Sequence, residues 1–375
     1  MKKNKLVVWI GLIVVLSAIA AGIFKKCRII DDGNSLRIGA ILPLTGAQSH
    51  DGNEIKNALK IAVEEHNRNH SNDRIQLQIQ DGKYSTKDSI SAFNMLMDER
   101  PDVIIVGGSV VAIALAPLAE KNLIPMIALM AADDELPLIN DWVFRMFPSD
   151  KEEINLISEF LRKNIKAYNI CMLTVDNIQG ATAAKWFKES LAANGGLLSG
   201  IETFPVDGAD MRPQISKLLT RAPDAIYVFG YGLGFSAAVN QIFEMGYQKD
   251  LFTLDVMALD MYQQAVRNVN GDIYYTAPIF DGESDDARNL ITMYQNMCNE
   301  KPSFFAGYAY ETIRLLGQVY LNGAKSAKDI RDSLMQVNRY QSVVGELSFG
   351  GKRGVRSSLK VYRFNENGVQ AIDRY

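Results

Sequence analysis

The chain has 375 residues, of which 47% are hydrophobic and 22% are charged. This composition is typical of a globular protein, and the length predicts about two domains. Beyond its first 35 residues the chain carries 34 basic and 41 acidic residues, a net charge of −7. An acidic body of this kind argues against nucleic-acid binding.

A hydrophobic segment stands near the start of the chain. Residues 6–24 contain no charged side chain, and basic residues flank them on both sides. The pattern directs the chain to the membrane and leaves two interpretations open. The small residues Ala18 and Ala20 favour a cleaved signal peptide, whereas the length favours an uncleaved anchor that just spans the bilayer. We therefore expect residues 1–35 to be a signal peptide or membrane anchor. The rest of the chain would lie in the periplasm or at the cell surface, exported across or anchored to the cytoplasmic membrane.

Residues 36–67 predict a strand, a loop and a helix in succession. The apolar run that begins after Arg37 is typical of a buried parallel strand, and Pro43 ends it by removing a backbone donor. We expect a loop from Thr45 to Asn53 and then an amphipathic helix. Its apolar face would contain Ile55, Leu59, Ala62 and Val63, and its polar face Glu54, Lys56, Lys60 and Glu64. Because ligands bind at the carboxyl ends of strands in an open α/β sheet, the loop is a candidate ligand contact.

Strand-like and helical patterns alternate through the rest of the chain, which argues for a parallel α/β architecture. The predicted strands are residues 37–42, 75–81, 102–108, 124–129, 169–175, 196–204, 225–230 and 251–255, with a last strand in SLKVYRF (358–364). The first four fall in one half and the next four in another. Pro148 and Ser149 separate the halves, ahead of a helix that begins at Lys151. This organisation predicts two Rossmann-like lobes.

Signatures of catalysis and of metal or cofactor binding are weak. His66 and His70 have the spacing that can bring two imidazoles to one metal, but they lie at the polar end of a helix. The chain has no GxSxG motif, and the glycines of VGGSV (106–110) lack the spacing and the lysine of a phosphate-binding loop. We therefore expect no catalytic residue, no metal site, no cofactor and no enzymatic activity.

Four segments of the sequence share a resemblance to one family. They are IGAILPLTG (38–46), residues 78–108, residues 116–129 and VVGELSFGGKRG (343–354). Together they resemble the type I periplasmic binding proteins, specifically the branch that includes the leucine/isoleucine/valine-binding proteins. The resemblance covers nearly the whole chain after residue 35.

The resemblance implies three hinge crossings between two lobes, near residues 147, 278 and 345. Lobe 1 would then contain residues 36–147 and 279–345, and lobe 2 residues 148–278 and 346–375. Such crossings let two lobes close on a ligand.

In the first lobe, the resemblance implies ligand contacts from two loops. Gly108 would let the backbone approach a ligand, and the position of Ser109 binds a substrate carboxylate in the family. A tight turn without a ligand is the alternative for this segment. In the next loop Ala132 stands where the family commonly has a threonine that binds the ligand. The backbone groups of Met130 and Ala131 would remain as ligand contacts, but the lost hydroxyl weakens recognition of an α-amino acid.

In the second lobe, Tyr231 matches a ligand-lining tyrosine of the family, although an ordinary core tyrosine is the alternative. Gln179 stands where an aromatic residue usually caps the ligand, and Asp255 is the candidate partner for a ligand ammonium group. On the first lobe, Asp51 stands where branched-chain binders often present an aromatic residue. We therefore expect a retained scaffold with an altered ligand.

These expectations describe a solute-binding protein that closes two lobes on a small polar ligand, such as an amino acid or a related compound. It would act as a monomer, bind no nucleic acid, reach the membrane through its N-terminal segment and deliver the ligand to an ABC permease. The alternative is a membrane-anchored receptor module that uses the same closure to signal.

Overall fold

A computed structural model describes residues 35–46, 48–266, 271–280, 282, 284–349 and 352–372. The hydrophobic segment at residues 6–24 lies outside these residues. Its assignment as a signal peptide or an anchor therefore stays a prediction from the sequence. Within the described residues, no helix combines the length and the apolar character that crossing a bilayer requires.

The first part of the chain builds a parallel sheet of five strands. The strands are β1 (Leu36–Leu42), β2 (Ile75–Asp81), β3 (Val103–Gly107), β4 (Met126–Leu129) and β5 (Val143–Arg145). They lie in the order β2-β1-β3-β4-β5, and every neighbouring pair is parallel. Ile38 packs into a core on one face of β1 and Ile41 into a core on the other. Because both faces are covered, the inner strands β3 and β4 are apolar throughout, whereas the edge strand β2, with the sequence IQLQIQD, alternates.

The second sheet has seven strands in the order β14-β13-β10-β9-β8-β6-β7. They are β6 (Asn169–Val175), β7 (Leu197–Phe204), β8 (Ala225–Phe229), β9 (Leu251–Thr253), β10 (Ile273–Pro278), β13 (Leu359–Asn365) and β14 (Gly368–Ala371). Strands β6 to β10 are parallel, and β13 and β14 complete the edge in antiparallel pairing. A separate short hairpin joins β11 (Tyr340–Ser342) and β12 (Gly345–Leu347).

Eleven α-helices of the described chain cover the sheets. They are α1 (Ser49–Asn69), α2 (Thr86–Asp98), α3 (Ser109–Asn122), α4 (Asp150–Lys163), α5 (Ile178–Ala193), α6 (Arg212–Leu219), α7 (Gly232–Glu244), α8 (Asp260–Ala265), α9 (Asp285–Cys298), α10 (Phe304–Leu321) and α11 (Ala327–Met335). Short 3-10 helices stand at Leu136–Leu138 and Asp255–Ala258.

The two-lobed α/β architecture and all nine predicted strands are confirmed. The sequence patterns missed β5, β10, β11, β12 and β14. Strand β5 has three residues, too few to display a period. Strand β10, with the sequence IYYTAP, interrupts its apolar character with hydroxyl side chains.

The first helix begins earlier than expected, so the prediction of a loop from Thr45 to Asn53 is wrong in its second half. Helix α1 begins at Ser49, which places Asp51 in its first turn. A Cβ atom at Gly52 would lie 2.1 Å from the carbonyl oxygen of Pro43, so only glycine lets this turn pack against the end of β1. Glu54 was expected on the exposed face but is 6% exposed, and its carboxylate accepts the N–H of Ser303.

The later segments lie on both sheets. Helix α10 packs against α1, and β13 pairs with β10 in the second sheet. Between α10 and β13 in the chain, Gly354 forms a parallel bridge with Arg145 of β5, and the side chain of Val355 lies in the core of the first sheet. The assignment of residues to lobes stays a prediction, and we propose that its last boundary falls between Val355 and Leu359.

Replacing Gly52 by alanine should destabilise the protein by about 1–3 kcal/mol, because the added methyl group forces α1 away from Pro43. Chemical denaturation measures this free energy. Lys60→Ala, on an exposed position of the same helix, is the control and should stay within about 0.5 kcal/mol of wild type. Equal stability of the Gly52→Ala variant would contradict the close packing of this turn.

Candidate functional site

The loops at the carboxyl ends of the first sheet carry the site residues predicted for lobe 1. Gly108 adopts φ +97° as the N-cap of α3, and Ser109 is the first helical residue. Met130 adopts φ +51°, a left-handed conformation that is costly for a residue with a Cβ atom. The side chain of Ala131 is buried in the first-lobe core, so only its backbone could reach a ligand. The carbonyl oxygen of Ala132 accepts the N–H of Asp150 at 3.1 Å, which joins this loop to α4.

Tyr84 is a site residue that sequence analysis missed. It follows β2 and adopts φ +55°. Its ring covers the end of α3, because a Cβ atom at Gly108 would lie 2.2 Å from its Cε2 atom. Burial, together with the neighbouring Tyr231 and Asp51, raises the pKa of Tyr84 to about 12. An aromatic residue directly after a strand of the parallel sheet was the signal that could have identified it.

Hydrogen bonds hold Tyr231 in the second lobe. Its hydroxyl oxygen accepts the side-chain N–H of Asn177 at 3.1 Å. The N–H of Gly232, the next residue, donates to the hydroxyl oxygen of Tyr262 at 2.9 Å. Burial raises the pKa of Tyr262, and the charges of Asp51 and Asp255 raise it further. Since Asp51 belongs to the first lobe, the loops of both sheets face each other around these tyrosines.

Asp255 lies within a group of three buried carboxyl groups, which we call the acidic cluster. Its members are Asp150, Glu153 and Asp255, with exposed fractions of 5%, 1% and 7%. The N–H of Asp255 donates to Glu153 Oε2 at 3.2 Å, and the hydroxyl of Thr276 donates to the same oxygen at 2.7 Å. The predicted cap residue Gln179 donates from Nε2 to Asp150 Oδ2 at 2.8 Å. Sequence analysis found Asp255 and Gln179 but missed the two acids of α4.

Burial is the main cause of the raised pKa values in the acidic cluster. It raises the pKa of Asp255 to about 8, and the charge of Asp150 adds to this shift. Burial raises the pKa of Asp150 to about 6, although the Gln179 hydrogen bond and the Arg145 charge lower it. The pKa of Glu153 rises well above its ordinary value through burial and the charge of Asp255. A carboxylic acid deprived of water resists ionisation, which explains all three directions.

Arg145 is the cation nearest to the acidic cluster. Its guanidinium lies 3.9 Å from Asp134 and donates a hydrogen bond to the carbonyl oxygen of Phe147. Burial lowers the pKa of Arg145, while the charges of Glu152, Asp134 and Asp150 raise it. Its positive charge therefore acts on Asp134 and Glu152, which lie outside the cluster, and on Asp150, which lies inside it.

The structure thus brings several predicted residues into one neighbourhood. Gly108 lies against the ring of Tyr84, and Asp51 and Tyr231 raise the pKa of Tyr84, while Asp255 and Gln179 form hydrogen bonds within the acidic cluster. Tyr262 lies between the two groups. The roles of these residues in ligand binding stay predictions.

Two further polar groups lie apart from the acidic cluster. Ligand atoms of His50, Asp51 and Glu54 lie within 4.8 Å of one another, next to a polar cavity of about 320 Å³ between α1 and α9. Glu54 already accepts the Ser303 N–H, which occupies one of these atoms. The rings of His66 and His70 lie 4.7 Å apart, and His66 Nε2 hydrogen bonds with the carbonyl oxygen of Asp73.

Comparison with known proteins identifies the scaffold. A family model described as periplasmic binding protein matches residues 35–368. The Leu/Ile/Val-binding protein BraC3 of Rhizobium johnstonii is 21% identical, over 90% of this chain and 94% of its own.

Solved structures agree on the fold. The branched-chain amino acid transporter substrate binding protein LivJ of Streptococcus pneumoniae, in complex with isoleucine, has a TM-score of 0.79 at 23% identity, covering 90% of this chain and 99% of its own. A solute binding protein of an ABC transporter from Rhodopseudomonas palustris, in complex with 3,4-dihydroxybenzoic acid, has a TM-score of 0.76 at 19% identity, covering 90% and 96%.

The acidic cluster should make the ligand-free protein less stable as the pH rises. The folded pKa of Asp255 is about 8 against an ordinary 3.8, so the folded state keeps a proton that the unfolded state has lost. Stability is therefore lost between about pH 4 and pH 8. We expect the free energy of unfolding to be on the order of 2 kcal/mol lower at pH 8 than at pH 5, measured by urea denaturation.

Asp255→Asn should reduce the difference in unfolding free energy between pH 5 and pH 8, because the amide does not titrate. The pKa of His66 is lowered by burial, so His66 makes the protein more stable as the pH rises, opposite to Asp255. Because His66 is present in both proteins, the difference between wild type and variant reports on Asp255 alone. A pH dependence that is identical in wild type and variant would contradict a protonated Asp255 in the folded state.

Proposed function

Because the chain belongs to the periplasmic binding protein family, in the branch of the Leu/Ile/Val-binding proteins, we propose that it binds a small polar ligand between two lobes and delivers it to an ABC permease. Members of the family are extracytoplasmic solute-binding proteins rather than enzymes. The permease is the partner that this role requires, and we propose that the protein meets it as a monomer held at or exported across the cytoplasmic membrane.

One observation supports the proposal above all others, namely that Ala258 and Leu259, which follow Asp255, pack against the hydrophobic cores of both lobes. The electrostatic interactions agree with this packing, because Tyr231 of the second lobe raises the pKa of Tyr84, which follows β2 of the first sheet. The charge of Asp51 in the first lobe likewise raises the pKa of Tyr262 in the second lobe. A ligand among these residues would contact both lobes at once, and would therefore stabilise the closed arrangement over the open one.

Closure gives the permease a state to recognise. A ligand shifts the equilibrium between open and closed forms only by the difference in its affinity for them. Contacts made by Ser109 on the first lobe and Tyr231 on the second supply that difference, because neither lobe makes both contacts when the lobes are apart. The permease would then bind the closed form and release the ligand on opening.

The ligand is a small polar molecule, an amino acid or a related compound. Related structures hold isoleucine in one case and 3,4-dihydroxybenzoic acid in another, so the scaffold accepts different ligands. In this chain Ala132 offers no hydroxyl, and Gln179 and Asp51 replace the aromatic residues that the family usually has there. These side chains favour a more polar ligand than a branched-chain amino acid.

A receptor module is the second candidate, and the uncharged run at residues 6–24 favours it. Nineteen residues are long enough to remain in the bilayer as an anchor. Membrane fractionation of the native protein tests this point. Retention in the membrane, without copurification of a permease, would favour the receptor.

Removing one hydrogen-bonding group from either lobe should weaken ligand binding. We expect Ser109→Ala and Tyr231→Phe each to raise Kd by about 5-fold to 13-fold, which corresponds to about 1–1.5 kcal/mol for one lost hydrogen bond. The full chain, purified in mild detergent, is first screened by thermal shift against amino acids, amides, amines, small carboxylates and aromatic acids. Calorimetry with the ligand so identified then gives Kd.

Tyr168→Phe is the matched control, because Tyr168 is an exposed residue of the second lobe and lies next to β6 at the opposite end from the site loops. Its Kd should equal that of wild type. Unchanged affinity in the Ser109→Ala and Tyr231→Phe double variant would rule out this site, and the absence of any thermal shift would count against solute binding itself.

A further inference from the structure

The acidic cluster lacks a balancing cation. Among the described residues, no lysine, arginine or histidine forms an ion pair with Asp150, Glu153 or Asp255, although all three are more than nine-tenths buried. The charge of Arg145 acts on Asp150, but its guanidinium has Asp134 and the Phe147 carbonyl as partners. Buried charges in proteins are normally paired, so the cluster has capacity for a positive group from outside the chain.

Two buried oxygen atoms at the cluster also lack hydrogen-bond partners. Within the described chain, Glu153 Oε1 and the hydroxyl oxygen of Tyr227 have none, and both atoms are inaccessible to solvent. Tyr227 is fully buried, and Glu153, Asp150 and Asp255 are the charged groups that act on its hydroxyl. Unpartnered buried polar atoms are rare, and a ligand that donates several hydrogen bonds would satisfy them. An ammonium group has three donors and a positive charge.

The cluster is continuous with the proposed ligand site. Gln179 joins it through the hydrogen bond to Asp150, and Leu259, four residues after Asp255, packs against the cores of both lobes. Asp51 is a second acid, on the first lobe, and it forms no ion pair among the described residues. His50 is the base that acts on it. The proposed site therefore has acids on both lobes, and their charges act on the tyrosines Tyr84 and Tyr262.

The position expected to bind a carboxylate is altered. The ring of Tyr84 lies against Gly108, over the N-terminus of α3, where a carboxylate would meet the backbone N–H groups. The neighbouring loop has Ala132 and so offers no side-chain donor. A ligand with a free carboxylate would also find, in the described part of the chain, no positive charge at Asp51 or at the acidic cluster, and it would oppose the ionisation of these acids. These features disfavour a zwitterionic or anionic ligand.

We propose that the ligand is an aliphatic diamine or polyamine, with one ammonium group bound by Asp150, Glu153 and Asp255 and a second bound by Asp51. The tyrosine rings contact the methylene chain and add cation–π attraction at its ends, and the hydroxyl oxygens of Ser109 and Tyr231 accept hydrogen bonds from the ammonium groups. This inference rests on the proposed solute-binding function and names the ligand class of the same site.

Proton release gives a test that needs no variant. Because the ligand-free cluster holds protons near neutral pH, a bound ammonium group favours the ionised acids and displaces protons into the buffer. Calorimetric titration at pH 7 in two buffers of different protonation enthalpy measures the number released. We expect measurable release with 1,4-diaminobutane, and binding without proton release would overturn the assignment to the cluster.

Matched ligand pairs test the chemistry on the full chain in mild detergent. We expect 1,4-diaminobutane and 1,5-diaminopentane to bind, and 1-aminobutane and 1-aminopentane to bind about tenfold more weakly or less, because each lacks the second ammonium group. L-leucine and L-norleucine should bind more weakly still. Preferential binding of leucine, of norleucine or of a carboxylate would overturn the inference and leave the proposed function intact. Failure of every compound in the screening panel would count against both.

Variants of α4 test the residues. Glu153→Gln and Asp150→Asn keep the shape of the side chain and should each raise the Kd for 1,4-diaminobutane about tenfold or more, with less proton release. Glu159→Gln, on the same helix and paired with Lys163 at the surface, is the control and should leave Kd unchanged. Thermal unfolding of each variant verifies folding. Two folded variants with wild-type affinity for the diamine would overturn the role of the cluster.

Discussion

The buried backbone and side chain of Arg145 are the constraint on which the interlobe region depends. The N–H of Arg145 donates to the carbonyl oxygen of Arg353 at 2.7 Å, and its own carbonyl oxygen accepts the N–H of Val355 at 2.8 Å. The guanidinium bonds to Phe147, where the chain leaves the first sheet. One residue therefore ties the first crossing to the last, and it places a buried cation beside the start of α4.

That single cation does not balance the acids around it. Taking a charge out of water costs several kcal/mol, and a buried charge is tolerated only with a close partner. Arg145 serves Asp134, Glu152 and in part Asp150, which leaves Glu153 and Asp255 to avoid ionisation by keeping their protons. The balance between burial and charge thus makes the second lobe sensitive to pH and receptive to a cation. A ligand that supplies the missing charge would stabilise the same closed arrangement that its contacts with the first lobe favour.

The scaffold and its ligand chemistry are separable in this family. Structures with TM-scores of 0.76 and 0.79 to this chain hold an aromatic acid and an aliphatic amino acid. The parallel sheets are specified by apolar strands and helix packing, whereas the ligand is selected by a few loop side chains at the strand ends. In our proposal Asp51, Tyr84 and Ala132 are such side chains, and all three lie outside the strands β1 to β5.

The sequence by itself determined the two sheets, because strands covered on both faces must be apolar and helices must repeat near every fourth residue. It also located the site loops, since each follows a strand that the apolar runs identify. Only the tertiary structure decided that α1 begins at Ser49 and that Glu54 is buried. Glu54 is buried because its carboxylate contacts Ser303, a residue far along the chain. The acidic cluster has the same origin. Asp255 follows Glu153 by 102 residues, and no local pattern of hydrophobicity or spacing records that folding removes both from water and sets them side by side.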